Sequence, residues 1–277
     1  MKKLFFALGM VLFVAPVSAQ TTRETSNEFG VSTGFSTYVG DLVASNFNYA
    51  FPGWANGLYY RHNFSSNIAV KAFGNYNRVN GFDHRDQSDV KRYNRNLSFR
   101  NDILELGLQA EFNLFRLRNF GQNQQEGKRY RMGSPYVFAG VNYFYHNPEA
   151  MYKGDWIALQ PLTTEGVDYN LHQIAVPFGL GFKLQPTNRL SLGIEFGARM
   201  TFFDYLDDVS DAYPSFAQLQ QTKGDLAVEM SYRGDKRNNM INGDVSLPVA
   251  GSMRGNPSNN DWYTVTQFSI GYRLGTK

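Results

Sequence analysis

The sequence predicts an all-β chain, an eight-stranded antiparallel transmembrane outer-membrane β-barrel whose lumen is plugged by polar and charged side chains. Three observations predict it. Apolar and polar residues alternate with period two through eight separate segments. Most of those segments run ten to fourteen residues, longer than ordinary strands and long enough to cross a bilayer when tilted. The connections between them alternate short and long, as in barrels whose two rims face different compartments.

The strands follow in order. Glu28–Val39 sets Phe29, Val31, Thr33 and Phe35 against Gly30, Ser32, Gly34 and Ser36. Trp54–Phe64 sets Trp54, Leu58, Tyr60 and Phe64 against Gly57, Tyr59 and Arg61. After the Ser65-Ser66-Asn67 turn, Ile68–Asn77 sets Ile68, Val70 and Ala72 against Lys71 and Asn75. Ile103–Leu114 is the sharpest case: Leu104, Leu106, Leu108, Ala110, Phe112 and Leu114 oppose Glu105, Gln109, Glu111 and Asn113. Tyr136–Tyr145 carries Val137, Ala139, Val141, Tyr143 and Tyr145 on its apolar face. Gln173–Leu184 and Leu190–Phe203 flank the turn at residues 185–189, and Trp262–Leu274 closes the set.

With the first strand rising from the periplasm, residues 40–53, 78–98, 146–171 and 204–261 fall outside. Residues 65–67, 115–135 and 185–189 fall inside. The last outer loop leaves ten strands open as an alternative to eight, through a hairpin at 225–233. Aromatics gather near strand ends at Tyr38, Trp54, Phe64, Phe115, Tyr145, Phe202, Tyr205, Trp262 and Tyr272, which fits interface girdles.

The first 19 residues read as a cleavable export signal, with Lys2 and Lys3, an apolar run from Leu4 to Val14, and Val17-Ser18-Ala19 as the cleavage site. The expected domains are therefore a signal peptide at 1–19 and one barrel domain at 20–277. The expected location is the cell outer membrane, with its lipids as the first partners. Cysteine is absent, so neither disulfides nor lipoprotein acylation hold the chain. The 17 Tyr, 23 Phe and 26 Gly favour an aromatic-rich β protein. The mean hydropathy is slightly negative, as expected when only alternate residues face lipid. A net charge of +3 without a reader motif gives no reason to expect nucleic acid.

The inward faces collect Arg61, Lys71, Glu105, Glu111, Lys183, Glu195, Arg199 and Arg273. Buried charges need partners, both signs are present, and Glu105 and Glu111 are expected to meet Lys71, Lys183, Arg199 or Arg273. A plugged bore is expected rather than an open pore or an apolar ligand cup.

Candidate chemistry is sparse. Asp83-His84 and Asp207-Asp208 bear comparison with rim proteases that use carboxylates and a histidine. A solvated loop explains Asp83-His84 more simply, and strand-end capping or rim hydrogen bonding explains Asp207-Asp208. His62, His146 and His172 lack metal-ligand spacing, and Gly179-x-Gly181 lies within a strand, so it is no dinucleotide loop. No catalytic residue, cofactor, metal or small-molecule substrate is expected. Arg116, Arg118, Lys128, Arg129 and Arg131 make the long inner turn basic. It reads either as a solvated turn or as a docking patch for a periplasmic partner.

Five strings carry a family resemblance: Tyr38–Leu42 (YVGDL), Asn96–Leu106 (NLSFRNDILEL), Leu159–Gly166 (LQPLTTEG), Thr201–Ser210 (TFFDYLDDVS) and Asp261–Tyr263 (DWY). In this order they resemble the PorG-like outer-membrane proteins of the type IX secretion system of Bacteroidota. The resemblance implies a non-enzymatic barrel that anchors or positions the periplasmic ring of PorK and PorN, beside the type IX translocon. The basic turn and residues 21–27 are the expected contacts. The chain end departs from the terminal aromatic common in such barrels, with Tyr272 or Leu274 in its place. Two rivals stand beside this reading: a stand-alone surface adhesin or scaffold, and a rim enzyme.

Overall fold

A computed structural model describes residues 25–43, 52–85, 89–117, 132–234 and 247–274. The expected signal peptide lies outside the described residues, as do Arg118, Lys128, Arg129 and Arg131.

Eight long strands form one closed antiparallel ring. They are β1 (Ser26–Val39), β2 (Gly53–Asn63), β3 (Ile68–Phe82), β4 (Ser98–Asn113), β5 (Gly133–Tyr152), β7 (His172–Leu184), β8 (Leu190–Thr201) and β9 (Trp262–Leu274). A short strand, β6 (Asp155–Ala158), hangs on β5 beyond the ring. Neighbours in sequence pair in space, and β1 pairs β9 from Asn27↔Leu274 to Val39↔Trp262, which closes the barrel without an edge. The β5–β7 ladder lapses between Ala139↔Phe178 and Asn142↔Ala175. Pro177 sits opposite the gap, and it has no N–H to give.

The two faces are sorted in the inverse sense to a water-soluble barrel. Leu58, Leu106, Leu180 and Ile270 point outward and are 58 to 67% exposed. On β4 the neighbours Glu105, Gln109 and Glu111 are buried inside. Rings lie across inward glycines at directly paired positions. Tyr59 covers Gly30 and Tyr136 covers Gly181, where an added Cβ would stand 2.4 and 2.5 Å from the ring. Glycine is thus required at those positions for the bore to hold a full ring on the neighbouring strand. Among the described residues no helix is long and apolar enough to cross a membrane.

The wall is uneven in height, and this corrects the expected outer-loop boundaries. β3 runs to Phe82 and β4 starts at Ser98, so the connection is 83–97 rather than 78–98. It holds a 3-10 turn and helix α1 (Val90–Arg95), capped by the Asp89 carboxylate on the N–H groups of Lys91 and Arg92. The strands continue because their outward polar residues pair: Arg78 with Asp102 at 2.5 Å and Arg100 with Glu149 at 2.8 Å. The expected loop at 146–171 is instead partly strand. β5 continues to Tyr152 and returns through Lys153-Gly154, both at positive φ, as a two-residue hairpin turn requires.

The long segment 204–261 is the largest correction. It carries helices α2 (Phe216–Lys223) and α3 (Asp225–Ser231) rather than an irregular loop. The possible hairpin at 225–233 is α3, because Leu226 and Met230 share one helical face and pack against Ala150, Leu159 and Leu162. Tyr38 is also not an interface aromatic. Its even position in β1 turns it inward, where it is 1% exposed.

Candidate functional site: the filled bore and the loop-end cap

All eight charges read as inward are inside and buried, and they lie in three tiers. Nearest the short turns, Arg61 pairs with Glu111 at 2.9 Å and contacts Glu28, while Lys183 contacts Glu111 and Arg273 lies 4.0 Å from Glu28. Next, Lys71 pairs with Glu195 at 2.7 Å, and Gln109 and Tyr136 donate to the same carboxylate. Above them, Glu105 accepts from Asn75, Asn142 and Tyr263 at 2.6 to 2.7 Å, with Arg199 at 3.6 Å. Side chains of both signs fill the bore from wall to wall.

Beyond the third tier the bore becomes apolar. Phe99, Ile103, Phe144 and Val265 line it, and Leu206 and Val209 fill it from residues 203–210, which dip into the barrel mouth. The descending backbone is satisfied by the wall. Asn101 donates to the Leu206 carbonyl at 2.6 Å, and the Leu206 N–H donates to Asp261 at 2.8 Å.

A second polar network locks this cap. Arg254 donates to Glu165 at 2.9 Å and to the carbonyls of Asp208 and Ser231. Glu165 in turn accepts from the N–H groups of Ser210 and Asp211. Arg95 grips Asp83 with two bonds of 2.7 and 2.8 Å and contacts the Arg254 carbonyl. The Tyr38 hydroxyl lies 2.6 Å from both Asp207 and Asp261. One hydroxyl proton serves one carboxylate, so the second contact takes its proton from a carboxyl group. In keeping with this, burial and neighbouring acids push both aspartates well above the usual carboxylate range. Burial raises Asp208 to about 6 against the pull of Arg254, and raises Asp204 to about 7.

Asp83 was expected in a solvated loop and is instead buried. Asp207-Asp208 were expected in strand-end capping or rim hydrogen bonding, and they do hydrogen-bond there, Asp207 with Tyr38 and Asp208 with Thr164 and Tyr169. All three are 1% exposed and fully engaged. His84 meets the Phe82 ring edge-on, and His146 is buried against Phe144 and Phe203. Of the basic turn, only Arg116 is described, and it is exposed. Sequence reasoning missed Glu28, whose inward parity with Gly30 and Ser32 was available. It also missed the cap roles of Glu165, quoted only as part of the Leu159–Gly166 string, and of Arg254, which no local pattern marks. The five strings quoted for the family resemblance converge on this cap: Tyr38, Leu42, Leu97, Leu159, Glu165, Leu206, Asp207 and Asp261 all lie within it.

A ring closed by β1 and β9, with a filled bore and a folded cap, defines a plugged eight-stranded antiparallel β-barrel. The family follows from the sequence match: residues 2–232 fit the model of the domain of unknown function DUF6089, and the chain belongs to that family. No curated protein matches the sequence. Similar solved structures are outer-membrane proteins. The chain aligns with Ail, the attachment invasion locus protein of Yersinia pestis, crystallised with the heparin analogue sucrose octasulfate. Identity is 10%, with 92% of this chain and all of Ail covered, at a TM-score of 0.40. Neisserial surface protein A shows 8% identity over 91% of this chain and 99% of its own, at 0.41. A major outer-membrane protein of Thermus thermophilus shows 12% identity over 90% and 99%, at 0.42.

Proposed function

We propose that this chain spans the outer membrane as a plugged barrel and serves as a structural and docking component, with no catalytic or conducting chemistry of its own. One observation carries the reading: the outward face is apolar and the bore is filled by paired charges. In water such an outer surface would aggregate. Against lipid it is the stable arrangement, because the strands pair with one another around a closed ring that leaves no open edge. From Trp54 to Phe64 the outward face of β2 and its turn covers roughly 33 Å of chain, or about 25 Å along the axis at the usual strand tilt, which matches a bilayer core. Aromatics sit at both limits, Trp54 against Tyr76 at one end and His62 against Phe64 at the other.

The finer reading is a component of type IX secretion that anchors or positions a PorK/PorN-type ring beside the translocon. The five strings quoted above support it. Pull-down from solubilised outer membranes, followed by mass spectrometry, tests it. Ring proteins recovered with the wild-type chain and lost on charge reversal at Arg129 and Arg131 fit the proposal; equal recovery refutes docking through the turn.

A second reading is a stand-alone surface barrel that binds through its cap. The cap favours it by exposing Leu247, Val249 and Met253 beside a cleft of about 660 Å³. Intact type IX secretion after deletion of the gene would select this reading.

A further inference from the structure

Inside the loop-side girdle, the outward face carries a polar pair on β1 and β2. Thr33 and Asn56 are directly paired across the strands, and the Thr33 hydroxyl donates to Asn56 Oδ1 at 2.7 Å on the exposed side. With Oδ1 so used, Asn56 presents its amide N–H groups outward, and among the described residues they meet no protein acceptor. A donor facing hydrocarbon without an acceptor costs several kcal/mol by order of magnitude.

The surroundings are shaped as well as polar. Asn56 pairs with Tyr76, one step from the Trp54–Tyr76 contact of the loop-side girdle. It therefore lies where lipid linkages lie, between headgroups and chains. Below it, outward Gly74 pairs directly with Leu58 and Leu106; the Leu106 side chain leans over it, 3.1 Å from where a Cβ would stand, and Gly74 and Leu58 line the groove floor. Val31 and Phe268 bound one side, and Tyr76 and Leu104 the other. Together they line an open groove of about 700 Å³ that is almost wholly apolar. The groove is continuous with the belt proposed above to meet lipid, so its occupant comes from the bilayer.

We propose that this groove is a specific site for one acylated membrane lipid of the loop-side leaflet, with an acyl chain lying over Gly74 and the carbonyl of its ester or amide linkage accepting from Asn56. Thr33 orients the amide by taking its oxygen, so Asn56 offers donors rather than an acceptor. The site rests on the membrane reading, and it predicts selective retention where an ordinary belt predicts none.

Native mass spectrometry of the full chain, extracted from outer membranes in mild detergent, tests the site. One retained lipid per barrel is expected at activation energies that strip bulk lipid. Asn56→Leu should lower that retention about tenfold, the equivalent of one hydrogen bond, and Gly74→Leu should fill the groove to the same effect. Heat-dependent migration in gels shows that each variant is a folded barrel. A folded wild-type barrel with no retained lipid, or equal retention in both variants, overturns the site, as does a retained mass that proves to be a protein or an acylated peptide. Absence of the wild-type chain from the outer-membrane fraction instead refutes the membrane reading beneath it.

Discussion

Glu111→Leu isolates the contribution of the bore network to stability. The Glu111 carboxylate lies against both Arg61 and Lys183, and neither cation exceeds 3% exposure. Arg61 keeps Glu28 after the change. Lys183 keeps only the Tyr136 ring, 4.4 Å from its ammonium, because Glu111 is its one carboxylate partner among the described residues. Orphaning a buried charge costs about 3–5 kcal/mol, against a whole-domain stability of about 5–15 kcal/mol. Removing both partners, as in Glu111→Leu with Lys183→Met, replaces the pair by apolar groups of similar volume and should return most of that loss. Urea unfolding of the detergent-solubilised barrel, followed by tryptophan fluorescence, measures both. A single variant that loses less than about 1 kcal/mol, or a double variant no more stable than the single, refutes the view that the pairing holds the bore together.

Three further outcomes are expected. The cap should loosen as pH rises: burial raises Asp208 to about 6 and Asp204 to about 7, so their protonated forms favour the folded cap. Their stabilisation is complete below the ordinary carboxylate range and disappears as pH climbs through about 6 to 7. Hydrogen exchange at the Ser210 and Asp211 amides should accelerate over that window, with a flatter slope for Asp204→Asn. Met230→Asp places a charge among Ala150 and Leu159, and should expose Arg233 to trypsin while leaving the gel mobility of the barrel unchanged. In planar bilayers the purified chain should show no conductance steps, and a stable open channel would contradict the filled bore.

The sequence is informative where lipid and bore sort residues by parity, and silent where distant segments decide. On β4, Leu106 and Glu105 cannot exchange faces without moving every neighbour, so the inward charges were legible. Part of the pairing was legible too, since Lys183 meets Glu111 and Arg199 lies 3.6 Å from Glu105, within the partner set expected for those two glutamates; the rest was not. That Lys71 meets Glu195, 124 positions away, depends on barrel closure and stagger. Tyr38 was misread because proximity to a strand end resembled a girdle, although its parity turned it inward. The cap was beyond local reading. Leu206 is held by Asn101 and Asp261, contacts that no periodicity within residues 204–261 announces. Its helices α2 and α3 are only eight and seven residues long, too short for a clear moment and stable only by packing.

The central claim is that the leucine face of β4 meets lipid. A spin label attached at Leu106→Cys in outer-membrane vesicles tests it, since the chain has no cysteine of its own. Relaxation dominated by collisions with oxygen, which partitions into the bilayer, is the predicted result. Relaxation dominated by a water-soluble nickel reagent at the same position would contradict the account.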